Sequence, residues 1–242
     1  MKGLVKKMGS QTRQQTRIIF SPSIYAADFS NLESEVQRIP SADWLHVDIM
    51  DGMFVPNFSM GYPQITALRK HTHKLIDAHL MIKTPIRYIK NFADAGADLI
   101  TVHLESDTPD KIKDTLQLIR LQGKKAGLAL SPGTPAEAVL PYLNWCDLIL
   151  VMTIQPGIPG QCFIKGMVKK VEKIRTYIDS AEVDCFLEAD GGINLNTVRE
   201  VFRAGANVIV SGNAVFGNKN ADDVIQTMRR IWESEYELCN RS

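Results

Sequence analysis

The chain contains the stretch Leu45-His46-Val47-Asp48-Ile49-Met50-Asp51-Gly52, an alternating run that predicts a β-strand followed by a turn. Alternation places His46 and Asp48 on one face of the strand and apolar side chains on the other. A charged group inside a protein is costly unless it has a partner. An imidazole beside a carboxylate therefore predicts that the partner is a metal ion.

Two further strand-like runs supply side chains of the same kind. Leu75 to Met81 carries His79, and Cys185 to Gly192 carries Asp190. For any one of these residues, a hydrogen-bonded core histidine or a helix-capping aspartate is the plain alternative. Their joint position at strand ends favours one site for Zn²⁺, Fe²⁺, Mn²⁺ or Co²⁺, made of His46, Asp48, His79 and Asp190.

From Ile18 onward, short apolar runs alternate with amphipathic stretches. The predicted strands are Ile18–Ile24, Trp44–Ile49, Leu75–Leu80, Leu99–His103, Ala126–Leu130, Leu148–Met152, Cys185–Ala189 and Val208–Val210. Eight strand–helix units in 242 residues predict an α/β fold, a single (β/α)8 TIM barrel. A doubly wound sheet is the alternative, but Ser21 to Ile24 offers no glycine-rich turn. In a barrel, strand carboxyl ends form the active site.

Composition narrows the class of protein. A net charge of +1 gives no reason to expect nucleic acid or an acidic membrane surface as a partner. No apolar run approaches the roughly 18–20 residues that cross a bilayer. The four cysteines have no CxxC spacing, which fits a reducing compartment, so we expect a cytoplasmic protein. Residues 1–17 are predicted to be a basic disordered tail, with a short transit peptide as the alternative, and residues 18–242 one domain.

Glycine-rich loops follow the last three predicted strands. They are Gln155 to Gln161, Gly191-Gly192 and Ser211 to Ala214. Glycine lets backbone N–H groups approach an anion closely, and barrels frequently bind phosphate with the loops after strands 7 and 8. These loops predict a phosphate site.

Other residues at strand ends have two interpretations. Met50, Met81 and Met152 are either ordinary packing at the barrel rim or an apolar wall beside the metal that excludes water. His103 and Glu105, at the end of the fourth strand, resemble a further ligand pair, but we expect them to be structural or to support the ligands.

Six segments together resemble the ribulose-phosphate 3-epimerase family. They are Ser21 to Ser23, His46 to Asn57 (HVDIMDGMFVPN), Asp77 to Met81 (DAHLM), Val151 to Gly160 (VMTIQPGIPG), Leu187 to Gly192 (LEADGG) and Ala204 to Phe216 (AGANVIVSGNAVF). The similarity keeps the order of the family's motifs and extends from Ile18 to the last helix.

The resemblance implies a metal-dependent isomerase of the pentose phosphate pathway that inverts C3 of a ketose phosphate and forms a homo-oligomer. It implies that the four predicted ligands bind the metal and that Asp48 and Asp190 are the acid–base pair. Ser23 and His79 would contact the sugar, and the three methionines would line the pocket. Phosphate would lie against Gly157, Ile158, Pro159, Gly160, Gly191, Gly192, Gly212 and Asn213.

Three departures from the family pattern leave the sugar phosphate open between ribulose 5-phosphate and the six-carbon allulose 6-phosphate. Met53 replaces a usual His, Pro159 a small residue and Asn213 a usual Ser. A decarboxylase or aldolase is disfavoured, because the run His46 to Asp51 lacks the Lys of their Asp-x-Lys-x-x-Asp motif. A non-catalytic paralogue that binds sugar phosphates is the other alternative.

Overall fold

The computed structural model describes residues 17–158 and 160–240, which form eight parallel strands surrounded by helices. The strands are β1 (Ile19–Phe20), β2 (Trp44–Met50), β3 (Leu75–Met81), β4 (Leu99–His103), β5 (Lys125–Leu130), β6 (Leu148–Met152), β7 (Phe186–Asp190) and β8 (Val208–Val210). The predicted basic tail, apart from its last residue, lies outside the described residues. Within the described part of the chain, no helix is long and apolar enough to cross a membrane.

The strands form a barrel in which consecutive strands from β2 to β8 pair with each other and β1 pairs with β8. The ladder runs β1-β8-β7-β6-β5-β4-β3-β2. Backbone bonds close the remaining seam, because Phe20 O accepts from Asp43 N at 2.9 Å and Pro22 O accepts from His46 N at 3.1 Å. The (β/α)8 prediction is confirmed.

The first strand is shorter than its sequence predicts. It covers Ile19–Phe20 instead of Ile18–Ile24. Pro22 has no backbone N–H to donate to a ladder, and the chain then turns into a 3₁₀ helix at Ile24–Ala26. By contrast, β4, β6 and β8 have the predicted bounds.

Helices cover the outside of the barrel. They are α1 (Leu32–Gln37), α2 (Tyr62–Arg69), α3 (Ile89–Ala95), α4 (Pro109–Leu121), α5 (Met167–Ser180), α6 (Val198–Arg203), α7 (Asn213–Phe216) and α8 (Ala221–Asn240). Pro109 begins α4, where its missing N–H costs nothing. A 3₁₀ helix over Ala136–Trp145 occupies the place of the helix between β5 and β6.

Strand alternation divides the core in two. Leu45, Val47 and Ile49 are buried in the main core cluster with apolar helix residues such as Ile65 and Leu68. The other strand face points into the barrel, where a second apolar cluster lies at the amino-terminal end, made by residues that include Trp44, Leu99 and Leu148. The interior becomes polar toward the carboxyl ends of the strands, which is where the predicted site lies.

Candidate active site

The four predicted ligands, from β2, β3 and β7, come together at the carboxyl end of the barrel. One donor atom of each of His46, Asp48, His79 and Asp190 lies within 4.8 Å of the others. His79 Nδ1 lies 3.1 Å from both Asp48 Oδ1 and His46 Nε2. Asp190 Oδ2 lies 3.9 Å from the same two histidine nitrogens. Residues far apart in sequence therefore share one centre.

A second polar layer lies beneath this cluster, one strand alternation deeper. His46 Nδ1 lies 2.9 Å from Asp77 Oδ2 and 3.3 Å from Glu188 Oε1. Thr101 Oγ1 donates to Asp77 Oδ1 at 2.9 Å, and Glu188 is fully buried. Asp77 and Glu188 are absent from the predicted site residues, although each precedes a predicted ligand by two residues and so shares its strand face.

The two carboxylates of the cluster experience opposite electrostatic environments. Burial opposes ionisation of Asp48, but the nearby His46 and His79 outweigh it and hold the pKa of that carboxyl well below its usual value. Burial and the charge of Asp48 raise the pKa of Asp190. Asp48 is thus ionised under conditions in which Asp190 tends to keep its proton.

The pKa values of His46 and His79 are also shifted in opposite directions. Burial lowers the pKa of His79 to about 4, so its ring is neutral at pH 7. Burial also disfavours charge on His46, but Asp48, Asp77 and Glu188 raise its pKa well above its usual value. In the protein without a metal, the proton of His46 therefore supplies positive charge among the surrounding acceptor atoms.

The donor set fits a divalent transition metal. Two imidazoles and two carboxylates form the mixed nitrogen and oxygen set that such ions prefer. His46 Nδ1 faces Asp77, which leaves Nε2 to face the cluster. A metal ion would take the place of the proton on His46, as ligation requires.

A cavity of about 500 Å³ opens above the cluster. It is lined by residues of the three predicted phosphate loops, namely Gly157, Ile158, Gly160, Gly191, Gly192, Gly212 and Asn213. Met50, Met81 and Met152 also line it, together with Ser23, Asp48 and Asp190. Pro159 lies outside the described residues. Of the other departures from the family pattern, Asn213 lines the cavity, whereas Met53 is exposed.

Close packing explains the glycines of these loops. Gly157, Gly191 and Gly192 all have positive φ. A Cβ at Gly192 would lie 2.6 Å from Phe163 N, and one at Gly157 would lie 2.3 Å from Val55 Cβ. Only glycine combines this backbone conformation with this proximity.

Ser23 and His103 make contacts that the sequence did not predict in detail. Ser23 Oγ donates to Asp48 Oδ2 at 2.5 Å. His103 is fully buried, and its Nε2 lies 2.9 Å from His79 Nε2. Asp51 is a turn residue, as expected, because its Oδ1 accepts from the backbone N–H groups of Met53 and Phe54.

Sequence comparison places this chain in a family. The profile of the ribulose-phosphate 3 epimerase family matches residues 19–216. The chain belongs to this family. A Synechocystis sp. ribulose-phosphate 3-epimerase is 43% identical over 92% of this chain and 97% of its own length. The Mycobacterium leprae epimerase is 40% identical over 88% of this chain and 94% of its own.

Epimerase relatives occur in more than one compartment. An Arabidopsis thaliana relative, 40% identical over 94% of this chain and 82% of its own, is named as chloroplastic. A relative from Oryza sativa is 41% identical over 88% of this chain and 93% of its own length, and it is named as a cytoplasmic isoform. The cytoplasmic location and the homo-oligomer of the present epimerase-family chain stay predictions.

Solved structures share the barrel fold at low sequence identity. A 3-hexulose-6-phosphate synthase from Salmonella typhimurium superposes with a TM-score of 0.69, at 17% identity, over 90% of this chain and 99% of its own. KGPDC from Streptococcus mutans gives a TM-score of 0.68 at 13% identity, over 90% of this chain and 99% of its own. These likenesses concern the fold alone.

Proposed function

We propose that this chain is a metal-dependent 3-epimerase that interconverts D-ribulose 5-phosphate and D-xylulose 5-phosphate. The observation that carries the proposal is the arrangement of Asp48 and Asp190, two buried carboxylates on β2 and β7 that face one cavity with opposed pKa shifts. Family membership and the names of the relatives supply the substrate.

His46, Asp48, His79 and Asp190 would hold the divalent cation. When bound, it would act as a Lewis acid that withdraws electron density from the oxygens at C2 and C3 and so makes the proton on C3 more acidic. This donor set suits Zn²⁺, Fe²⁺, Mn²⁺ and Co²⁺ alike.

Inversion at C3 needs one group that takes a proton from one face and another that returns a proton to the opposite face. The ionised carboxylate of the Asp48 and Asp190 pair takes the proton, and the protonated one supplies a proton to the other face. In the reverse direction the two exchange roles. In the protein without a metal, the opposed pKa shifts favour an ionised Asp48 and a protonated Asp190.

Other residues orient the substrate and keep water away. Backbone groups of the three glycine-rich loops would hold the phosphate, so that binding energy at one end of the substrate positions C3 at the other. Met50, Met81 and Met152 would form an apolar wall beside the reacting carbon. Ser23 holds Asp48 through its hydroxyl and would contact the sugar.

Proton exchange at C3, followed by NMR in D₂O, tests the proposal. Metal-loaded protein is given ribulose 5-phosphate and allulose 6-phosphate in separate samples. We expect deuterium at C3 and formation of xylulose 5-phosphate from the first. Exchange with allulose 6-phosphate alone would favour the six-carbon alternative, and no exchange with either, with metal and phosphate bound, would favour a binding protein.

A further inference from the structure

A row of buried polar side chains leads from the cluster to the rim of the barrel. His79 Nε2 lies 2.9 Å from His103 Nε2, and His103 Nδ1 lies 3.2 Å from Glu105 Oε2. Both histidine side chains are fully buried, whereas that of Glu105 is 27% exposed. The epimerase mechanism above gives His103 and Glu105 no part.

Glu105 is fixed as a hydrogen-bond acceptor. Its Oε1 accepts from Ser131 N at 2.8 Å and from the Thr134 hydroxyl, both in the loop after β5. Burial opposes the charge of Glu105, but hydrogen bonds from His103, Thr134 and Ser131 outweigh burial and lower the pKa to about 2. An ionised carboxylate only accepts, so the His103 nitrogen that faces it must carry a proton.

The position of that proton determines those on the next ring. With Nδ1 of His103 protonated toward Glu105, its Nε2 offers a lone pair to His79. When His103 carries only that one proton, the matching arrangement puts a proton on His79 Nε2 and leaves a lone pair on His79 Nδ1. That lone pair faces Asp48 Oδ1 and His46 Nε2, at the centre of the ligand cluster.

Packing holds the rings in this arrangement. The rings of His79 and His103 stack with centroids 5.0 Å apart and planes 25° apart. Phe54 covers His103 at a centroid distance of 4.8 Å. Rotation of the His103 ring would therefore disturb contacts on two sides.

His46, the other predicted histidine ligand, also contacts a polar side chain on the side away from the cluster. His46 Nδ1 lies 2.9 Å from Asp77 Oδ2, and Asp77 is itself held by Thr101. In both cases the nitrogen that faces away from the cluster has a polar partner. Such partners set the tautomer and orientation of metal-binding histidines.

We propose that His103 and Glu105 are positioning residues that keep His79 in the tautomer whose Nδ1 binds the metal. The inference rests on the proposed function, because it takes His79 as a ligand. It goes further by giving a role to two residues outside the ligand set.

Zn²⁺ affinity, measured on the full-length protein by competition with a chelator, tests this role. We expect Glu105→Gln and His103→Phe each to weaken Zn²⁺ binding by about 10- to 100-fold, the usual effect of losing such a partner. Glu137→Gln is the matched control, because it is the same type of substitution at an exposed glutamate that pairs with Lys173. We expect the Zn²⁺ affinity of this control to stay within about twofold of that of the unaltered protein, a much smaller change than the loss of about 10- to 100-fold.

A spectroscopic measurement makes the test independent of activity. In ¹⁵N spectra of the Zn²⁺-loaded protein, we expect His79 to be protonated at Nε2, with slow exchange of that proton with solvent. The exchange should accelerate in Glu105→Gln and stay slow in Glu137→Gln. Protonation of His79 at Nδ1 in the loaded protein would overturn the inference.

His79→Asn separates failure of this inference from failure of the proposed metal site. If His79→Asn loses Zn²⁺ affinity but Glu105→Gln and His103→Phe keep it, the role of His103 and Glu105 is wrong and the metal site stands. If His79→Asn also keeps its affinity, both are wrong. An equal loss in Glu137→Gln would show that the effect does not depend on a contact with His103 and would overturn the positioning role.

Discussion

Asp48 and Asp190 carry the same chemical group in unlike surroundings. Asp48 is within hydrogen-bonding distance of His79 Nδ1 and accepts from the Ser23 hydroxyl. Asp190 lies farther from the histidines, at 3.9 Å, and meets the negative charge of Asp48. Position alone thus gives two identical side chains different preferences for a proton.

This difference leads to a prediction about exchange in single variants. Asp48→Asn and Asp190→Asn should each lower the rate of epimerisation by about 100- to 10,000-fold, because each removes one member of the acid–base pair. Each remaining carboxylate can still take a proton from its own face. We therefore expect C3 exchange in D₂O to persist with one epimer in the first variant and with the other epimer in the second.

Asp184→Asn is the control for that experiment, because Asp184 is exposed just before β7 and should leave turnover unchanged. Metal content is measured in every sample, since both variants also remove a predicted ligand. Near-native epimerisation by either loaded variant would show that the acid–base assignment is wrong.

His46 leads to a prediction about pH. Because neighbouring carboxylates raise the pKa of His46 well above its usual value, the metal-free protein holds a proton there through neutral pH. A metal must displace this proton and any proton that Asp190 keeps, so affinity should rise with pH by at least about tenfold per unit. Chelator competition between pH 6 and pH 8 measures the slope, and a flat profile would contradict the placement of His46 in the ligand set.

At the scale of elements, β4 and β5 approach closely to build the polar layer under the site. Gly127 on β5 pairs in register with Thr101 on β4. A Cβ at Gly127 would lie 2.3 Å from Thr101 Oγ1 and 2.9 Å from its Cβ. The absence of a side chain at this position of β5 therefore leaves room for the hydroxyl that holds Asp77.

We predict that Gly127→Ala destabilises the protein by about 1–3 kcal/mol, the usual cost of overfilling a packed core. Neither strand can move aside easily, since each is paired on both edges. Denaturant unfolding measures the loss, with Gly133→Ala as the control because a Cβ there meets nothing within 4 Å. Equal stability of the two variants would contradict this account of the β4–β5 contact.

Sequence patterns predict most elements because each strand carries its own apolar run. The bounds of β4, β6 and β8 follow from such runs. The end of β1 does not, because Ile18 to Ile24 is apolar enough for a strand throughout, and only the ladder shows that pairing stops before Pro22. Strand ends thus depend on partners that are distant in sequence.

At the scale of the whole molecule, the barrel converts separate strand ends into one site. Barrel topology is enough to predict that His46, His79 and Asp190 meet, since carboxyl ends of all strands share one rim. The sequence predicts that His103 and Glu105 are structural or support the ligands, but not which ligand they contact, because that depends on ring orientation and on the loop after β5. Fold class therefore predicts which residues gather, and side-chain packing determines how they connect.

The same convergence couples metal binding to the stability of the whole barrel. Ligands on β2, β3 and β7 join strands that are far apart in the sequence, so an ion that binds them all binds only the folded chain. At a metal concentration about 100 times Kd, this linkage adds about 2.7 kcal/mol. For a chain of this size that corresponds to a rise in Tm of about 5–10 °C.

Thermal unfolding with and without Zn²⁺ measures this coupling. We expect the rise in the unaltered protein and its loss in His79→Asn, which lacks one ligand. Glu137→Gln is the control, because Glu137 pairs with Lys173 on the outer surface and should keep the full rise. An equal rise in His79→Asn would place the stabilising ion elsewhere, because the proposed site would have lost one of its four ligands.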